Sequence, residues 1–215
     1  MDNSLKASIL RGAIGLGLFA MVTAGIIAVT HEVTADDIAL AEAQARARSL
    51  YTLIPENATD VPILDTAFDL EPGTALGLRQ PTPGYRAIRQ GKVEAVILPF
   101  TAREGYNGDI HGIAAIRADG TLIGVQIISH KETPGLGDQV EARKSGWLRQ
   151  FQGASLQNPP RELWKVKKDG GAFDQLTGAT ITPRAIVSQL TEVLAWFSAH
   201  RDELLKMPAD KQEAP

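Results

Sequence analysis

The sequence predicts an α+β chain in which a single N-terminal transmembrane helix precedes one extracytoplasmic domain, built on a mainly antiparallel sheet with packed helices. Three observations predict it. Residues 12–30 form an uncharged apolar run, residues 93–129 hold apolar segments separated by turn signals, and residues 183–197 carry an apolar stripe at helical spacing. The chain has 215 residues, 44% hydrophobic and 22% charged, which suits one core plus an appendage and does not suit a disordered segment. Its net charge of −3 and lack of a long basic run argue against nucleic acid as a partner. The absence of cysteine excludes disulfides, thiolate-held iron–sulfur clusters and thiol catalysis. His31, His111, His130 and His200 show no metal-ligand spacing, so no metal site is expected.

The run at 12–30 spans roughly 28 Å at about 1.5 Å per residue, close to the apolar thickness of a bilayer. Lys6 and Arg11 precede it, whereas Glu32, Asp36 and Asp37 follow. The positive-inside bias therefore places the N-terminus in the cytoplasm and the rest outside. A cleaved signal peptide is the alternative; its apolar region usually runs about 7–15 residues before a small-x-small site. Here the run is longer and continues into Thr30-His31-Glu32-Val33. Ala13 and Gly17, then Ala20, Ala24 and Ala28, recur four apart, which either permits close helix–helix approach or reflects the ordinary composition of such spans. Residues 1–33 thus read as cytoplasmic terminus and anchor, 34–202 as the domain, and 203–215 as a mobile charged tail.

Residues 34–53 read as a helix with acidic residues first and arginines later, stopped by Pro55. Pro62, Pro72, Pro81 and Pro83 break residues 56–91 into short strands and turns. The segment 93–98 is a short strand ending at Pro99, and 110–117 and 121–129 flank Ala118-Asp119-Gly120, a hairpin signal. A turn at 133–137, a polar helical segment near 138–147 and a short strand at 164–167 follow. Thr182 is expected to cap a last helix whose first residue is Pro183, with Ile186, Val187, Leu190, Val193, Leu194 and Phe197 on its buried face.

The segment 174–183 reads Asp-Gln-Leu-Thr-Gly-Ala-Thr-Ile-Thr-Pro, a hydroxyl-rich turn placed before a helix start. Free N–H groups and the positive dipole end make such a place suitable for an anion, although Thr-Pro starts are also ordinary capping devices. Asp174-x-x-Thr177-Gly178-Ala179-Thr180 resembles the motif on which a flavin transferase esterifies FMN. Residues 105–110 resemble the same family's Gly-Tyr-x-Gly element, 130–138 its Glu-Thr-Pro-Gly-Leu-Gly element, and 164–171 lead into Phe173-Asp174 in the family's order. With the anchor, this order of motifs resembles the G-subunit family of Rnf electron-transport complexes, related to the C subunit of the sodium-pumping NADH:quinone reductase. Residues 56–91 carry no motif of that family.

The resemblance implies an extracytoplasmic FMN-binding domain with FMN joined to Thr180 by a phosphoester. It implies that Thr177 and Thr182 either donate to the phosphate or serve as local caps, with Gly178 and Ala179 between them. Glu132, Thr133, Pro134, Gly135, Leu136 and Gly137 are expected to form a wall against the isoalloxazine ring, with Leu136 as an apolar contact and Tyr106 nearby. Lys167 either offsets phosphate charge or is a solvated strand end. Asp174 either positions the acceptor hydroxyl or caps a turn, His130 is structural, and Trp147 and Trp164 are core residues. The implied function is a redox relay in the bacterial inner membrane, ferredoxin- and NAD-linked, working with other Rnf subunits and matured by a flavin transferase. In that reading Thr180 is a carrier and no residue of this chain is an independent catalyst. An assembly protein without redox function and a free-standing periplasmic flavin reductase are the alternatives.

Overall fold

A computed structural model describes residues 3–73 and 75–207. The expected tail residues 208–215 and Thr74 lie outside the described residues. Two compact units make up the chain, Met1–Arg46 and Ala47–Pro215. Helix α1 (Asn3–Leu53) runs from the first into the second. The expected anchor and the expected helix at 34–53 are thus one uninterrupted helix, because Thr30-His31-Glu32-Val33 holds neither Pro nor Gly to break the backbone ladder. Within the first unit, Ser8–Ala35 is long and apolar enough to cross a membrane, and its apolar side chains are exposed.

The second unit is a five-stranded antiparallel meander, β1 (Ala67–Leu70), β2 (Thr82–Arg89), β3 (Lys92–Gly105), β4 (Gly108–Arg117) and β5 (Leu122–Ser129), with each strand paired to the next. Helix α2 (Ile181–Leu204) follows. Both faces of the sheet are covered. Val96, Leu98, Phe100, Ala114 and Ile116 point toward α2, where Ile186, Leu190, Val193, Leu194 and Phe197 meet them. Ala95, Ile97, Ile113 and Ala115 point the other way, under Leu50 of α1 and Ile54 and Ile63 beyond it. Two-sided burial explains why the β3 sequence is apolar almost throughout, with no alternation. Bulges at Ala87/Ile88 and Ala115/Ile116 shift the register, so Val93 and Leu122 also reach the α2 side.

The sequence ends this strand at Pro99, but β3 passes through it. Pairing with β2 stops at Tyr85↔Ile97, whereas pairing with β4 continues through Pro99↔Ile113. Thr101, facing the same way as Pro99, donates its N–H to Leu76 O at 2.9 Å on the side β2 has left. Pro99 therefore sits where no β2 partner needs a donor, which is where a strand tolerates proline. The Asp119-Gly120 hairpin forms as expected, with Asp119 Oδ1 accepting from Thr121 N at 2.8 Å. The expected strand at 164–167 is replaced by short 3-10 helices, Arg161–Leu163 and Lys167–Asp169, joined by an isolated Val166↔Phe173 bridge. The expected polar helix or helical turn near 138–147 takes the form of two short 3-10 helices, Gly137–Val140 and Trp147–Phe151.

At the far end, α2 runs to Leu204, whose side chain is buried, so helical structure enters the stretch expected to be tail. Arg86 on β2 donates from Nε to Leu204 O at 2.9 Å and stacks its guanidinium over Phe68, 4.2 Å from the ring centroid. A cation at a helix C-terminus satisfies orphan carbonyls and matches the dipole. Arg86→Ala is expected to cost about 2 kcal/mol, from one charge-assisted hydrogen bond and one cation–π contact. Chemical denaturation of the detergent-solubilised chain, read as a shifted midpoint at constant slope, checks it.

Candidate functional site

The motif loops fold as two facing turns. Thr133-Pro134-Gly135-Leu136 is closed by Leu136 N–H donating to Thr133 O at 3.1 Å, with Gly135 at φ 79°. Proline at the second position and a positive-φ glycine at the third define a type II turn. Leu176-Thr177-Gly178-Ala179 repeats the device: Ala179 N–H donates to Leu176 O at 3.2 Å and Gly178 has φ 79°. The first turn lays Leu136 over the second. A Cβ on Gly178 would stand 2.9 Å from Leu136 Cδ2, so the approach depends on its absence.

Directly after the second turn, α2 begins at Ile181 with Thr180 as its N-cap residue. The sequence places the cap at Thr182 and the first residue at Pro183, two residues too late. Pro183 in fact lies within the first turn, where helix N–H groups lack partners in any case. Thr180 is half-buried and its hydroxyl makes no capping hydrogen bond among the described residues. That is unusual for threonine at this position, where the side chain ordinarily folds back onto the helix.

Between the turns lies a cavity of about 440 Å³ lined by Tyr106, Glu132, Thr133, Leu136, Gly137, Gly178, Ala179, Thr180, Ile181 and Thr182. Its volume falls within the range of small-molecule and cofactor sites. Tyr106 is 64% exposed, Ile181 45% and Leu136 43%, so its rim is apolar and open. Nine of the thirteen residues anticipated from sequence thus share one cavity. Thr177, Pro134 and Gly135 shape the turns without lining it. Lys167 is outside the wall; its Nζ is 2.6 Å from Asp174 Oδ1, an exposed pair.

Thr182 has a role other than phosphate donation. Its hydroxyl donates to Glu132 Oε2, because both side chains are buried and the carboxylate requires a donor. Asn107 was not anticipated: its N–H donates to Glu132 Oε1 at 3.0 Å and its Nδ2 to Thr133 Oγ1 at 3.1 Å. Ile181 was missed too, hidden by the misplaced cap. The one available signal was Gly105-x-x-Gly108, which closes the β3–β4 hairpin and so positions Tyr106 and Asn107.

His130 is structural, as expected. Its Nδ1 accepts the Glu132 N–H at 3.0 Å, so Nε2 carries the proton and donates to Glu141 at 3.2 Å. Trp147 and Trp164 are buried core residues. Asp174 places its backbone, not its carboxylate, against the core: Trp147 Nε1 donates to Asp174 O at 2.6 Å. Behind the first turn, Lys144 donates to Asp138 and Glu141 at 2.8 and 2.6 Å, and Arg143 also donates to Glu141. Lys144 and then Arg143 hold the Glu141 carboxyl down at about 2, against an ordinary 4.5. A lowered folded-state value stabilises the fold above 4.5 and is lost as pH falls toward 2. The thermal midpoint is therefore expected to hold near neutrality and fall across that acid window, with Glu141→Gln flattening the fall.

The chain is 44% identical over 205 residues to the G subunit of the ion-translocating oxidoreductase complex of Pseudomonas aeruginosa, covering 95% of this chain and 96% of that one. It belongs to the G-subunit family of ion-translocating oxidoreductase complexes. Another member of the family, from Shewanella loihica, is 40% identical over 96% of this chain and 97% of its own. Residues 1–53 match the RnfG N-terminal region and residues 105–195 the FMN-binding domain. A crystal structure of Shewanella oneidensis NqrC is similar over 69% of this chain and 72% of that one, with 23% identity and a TM-score of 0.47. In this member of the family, every residue lining the cavity falls within the FMN-binding domain. The cavity also fits that cofactor by its chemistry. An uncommitted hydroxyl and a helix N-terminus suit a phosphate, and the apolar Leu136 and Ile181 suit a flat ring.

Proposed function

We propose that this chain is an electron-transfer subunit of an ion-translocating membrane oxidoreductase and carries FMN esterified to Thr180. One observation carries the reading: Thr180 stands at the start of α2, in the cavity wall, with its hydroxyl free of the capping bond. Esterification forms a bond from Thr180 Oγ1 to the flavin-side phosphorus of a phosphoanhydride-activated flavin nucleotide. The anhydride P–O bond breaks, the other phosphate half leaves, and the hydroxyl proton passes to a base of the flavin transferase. Bound FMN supplies a centre that accepts and gives up one or two electrons.

The chain's own groups hold that centre. The first-turn N–H groups and dipole of α2 offset phosphate charge, while Leu136, Ile181 and Tyr106 offer apolar contact. Asp169 and Arg184 pair at 2.5 Å beside this turn, so the arginine's charge is already matched. The helix Ser8–Ala35 anchors the chain in the inner membrane, N-terminus cytoplasmic and domain periplasmic, since Lys6 and Arg11 precede its uncharged run and acidic residues follow. Its partners are the lipid bilayer, the other membrane and cytoplasmic subunits of the complex and, during maturation, a flavin transferase. Coexpression with a flavin transferase tests the reading. Flavin fluorescence should co-migrate with the denatured chain, and mass spectrometry should place the adduct on the peptide containing Thr180; a dark band beside an active transferase would refute it.

A further inference from the structure

Glu132 is 5% exposed and lines the same cavity as Thr180. A carboxylate taken out of water needs donors, and two reach this one from distant parts of the chain. Oε1 accepts the N–H of Asn107, 25 residues away at the β3–β4 turn, at 3.0 Å. Oε2 accepts the hydroxyl of Thr182, 50 residues away in the first turn of α2. The backbone beneath is fixed as well, by the Glu132 N–H bond to His130 Nδ1 at 3.0 Å. Two glycines leave room for the head group. A Cβ on Gly137 would come within 2.8 Å of Oε2, and one on Gly105 within 3.0 Å of Oε1.

We propose that Glu132 is the positioning residue of this site: its carboxylate ties the Tyr106–Asn107 hairpin to the start of α2, and its charge lowers the reduction potential of the flavin. The inference rests on the reading that Thr180 carries FMN. The tie matters because Thr180 is two residues from Thr182 and Tyr106 adjoins Asn107, so one side chain sets the separation of opposite cavity walls. The charge matters because Glu132 accepts both bonds, as an ionised carboxylate does, and electrons added beside a fixed negative charge are disfavoured.

Two variants of the full chain, each coexpressed with flavin transferase, separate tie from charge. In Glu132→Gln the shape remains: the amide oxygen accepts from Asn107 and the amide nitrogen donates to a reoriented Thr182 hydroxyl. It should load more flavin than Glu132→Asp and show a midpoint potential above the native one by spectroelectrochemical titration. In Glu132→Asp the charge remains, one methylene short of spanning both donors. It should load several-fold less flavin, and the flavin it does carry should show no upward shift. Emission from the buried Trp147 and Trp164 reports folding in both. An unshifted potential in Glu132→Gln, a folded Glu132→Gln that takes no flavin, or full loading of Glu132→Asp overturns the proposal. A dark native band would overturn the Thr180 reading and this one with it.

Discussion

Thr180→Ala is expected to abolish covalent flavin altogether, while Thr180→Ser retains it. The ester needs an oxygen at this position, and alanine supplies none. Substitution should cost little stability, because the hydroxyl makes no capping bond whose loss would be felt. That separation is diagnostic, since a threonine serving as an ordinary N-cap would lose about 1 kcal/mol on replacement by alanine. Ser188→Ala is the internal control. Ser188 is exposed on α2, outside both the 174–180 motif and the cavity wall, so its variant should load flavin as the native chain does. In-gel flavin fluorescence across the three variants, normalised to protein, reads all of this. Flavin persisting on Thr180→Ala would move the attachment to another hydroxyl, and unchanged loading of Thr180→Ala together with a large stability loss would restore the capping role.

What the sequence made legible was local. The Asp119-Gly120 hairpin, the buried stripe from Ile186 to Phe197 and the Pro134-Gly135 turn are each set by neighbours a few residues apart. Ordered motifs also named most of the cavity, although they did so through resemblance, since no spacing rule brings residues 106, 132 and 180 together. What stayed hidden depended on distant partners. Nothing in the neighbourhood of Pro99 states that β2 has already left β3. Nothing near Thr182 tells that its hydroxyl answers a buried carboxylate 50 residues earlier. Lys167 read either as a phosphate partner or as a solvated strand end, and only the fold sets Asp174 beside it. These cases share a cause: a side chain's duty is decided by which unsatisfied group the tertiary structure brings within reach.

The same logic makes Phe151→Ala a strongly damaging core change. Phe151 has no exposed surface and packs edge-on to Trp147 at 5.2 Å between ring centroids, with Phe173 at 4.9 Å and Trp164 at 6.4 Å. Removing a fully buried phenyl ring loses its transfer energy and leaves a cavity that rigid neighbours fill poorly, a loss of about 3–5 kcal/mol. Here the neighbours are pinned. Trp164 Nε1 donates to Ser155 O and Pro159 O, and Trp147 Nε1 donates to Asp174 O, so neither indole can swing inward without leaving a buried donor unpaired. The upper part of that range is therefore expected. The effect should also reach the site, because Trp147 and Gln150 of the same 3-10 helix hold Asp174 by its carbonyl and its N–H, the latter at 2.6 Å to Gln150 Oε1. Asp174 opens the segment that ends at Thr180. Chemical denaturation should show the midpoint loss, and flavin loading should fall with it at temperatures where the variant is still folded. If stability falls while loading is unchanged, the aromatic cluster supports the core alone, and the presentation of Thr180 rests on the Glu132 tie and the two facing turns.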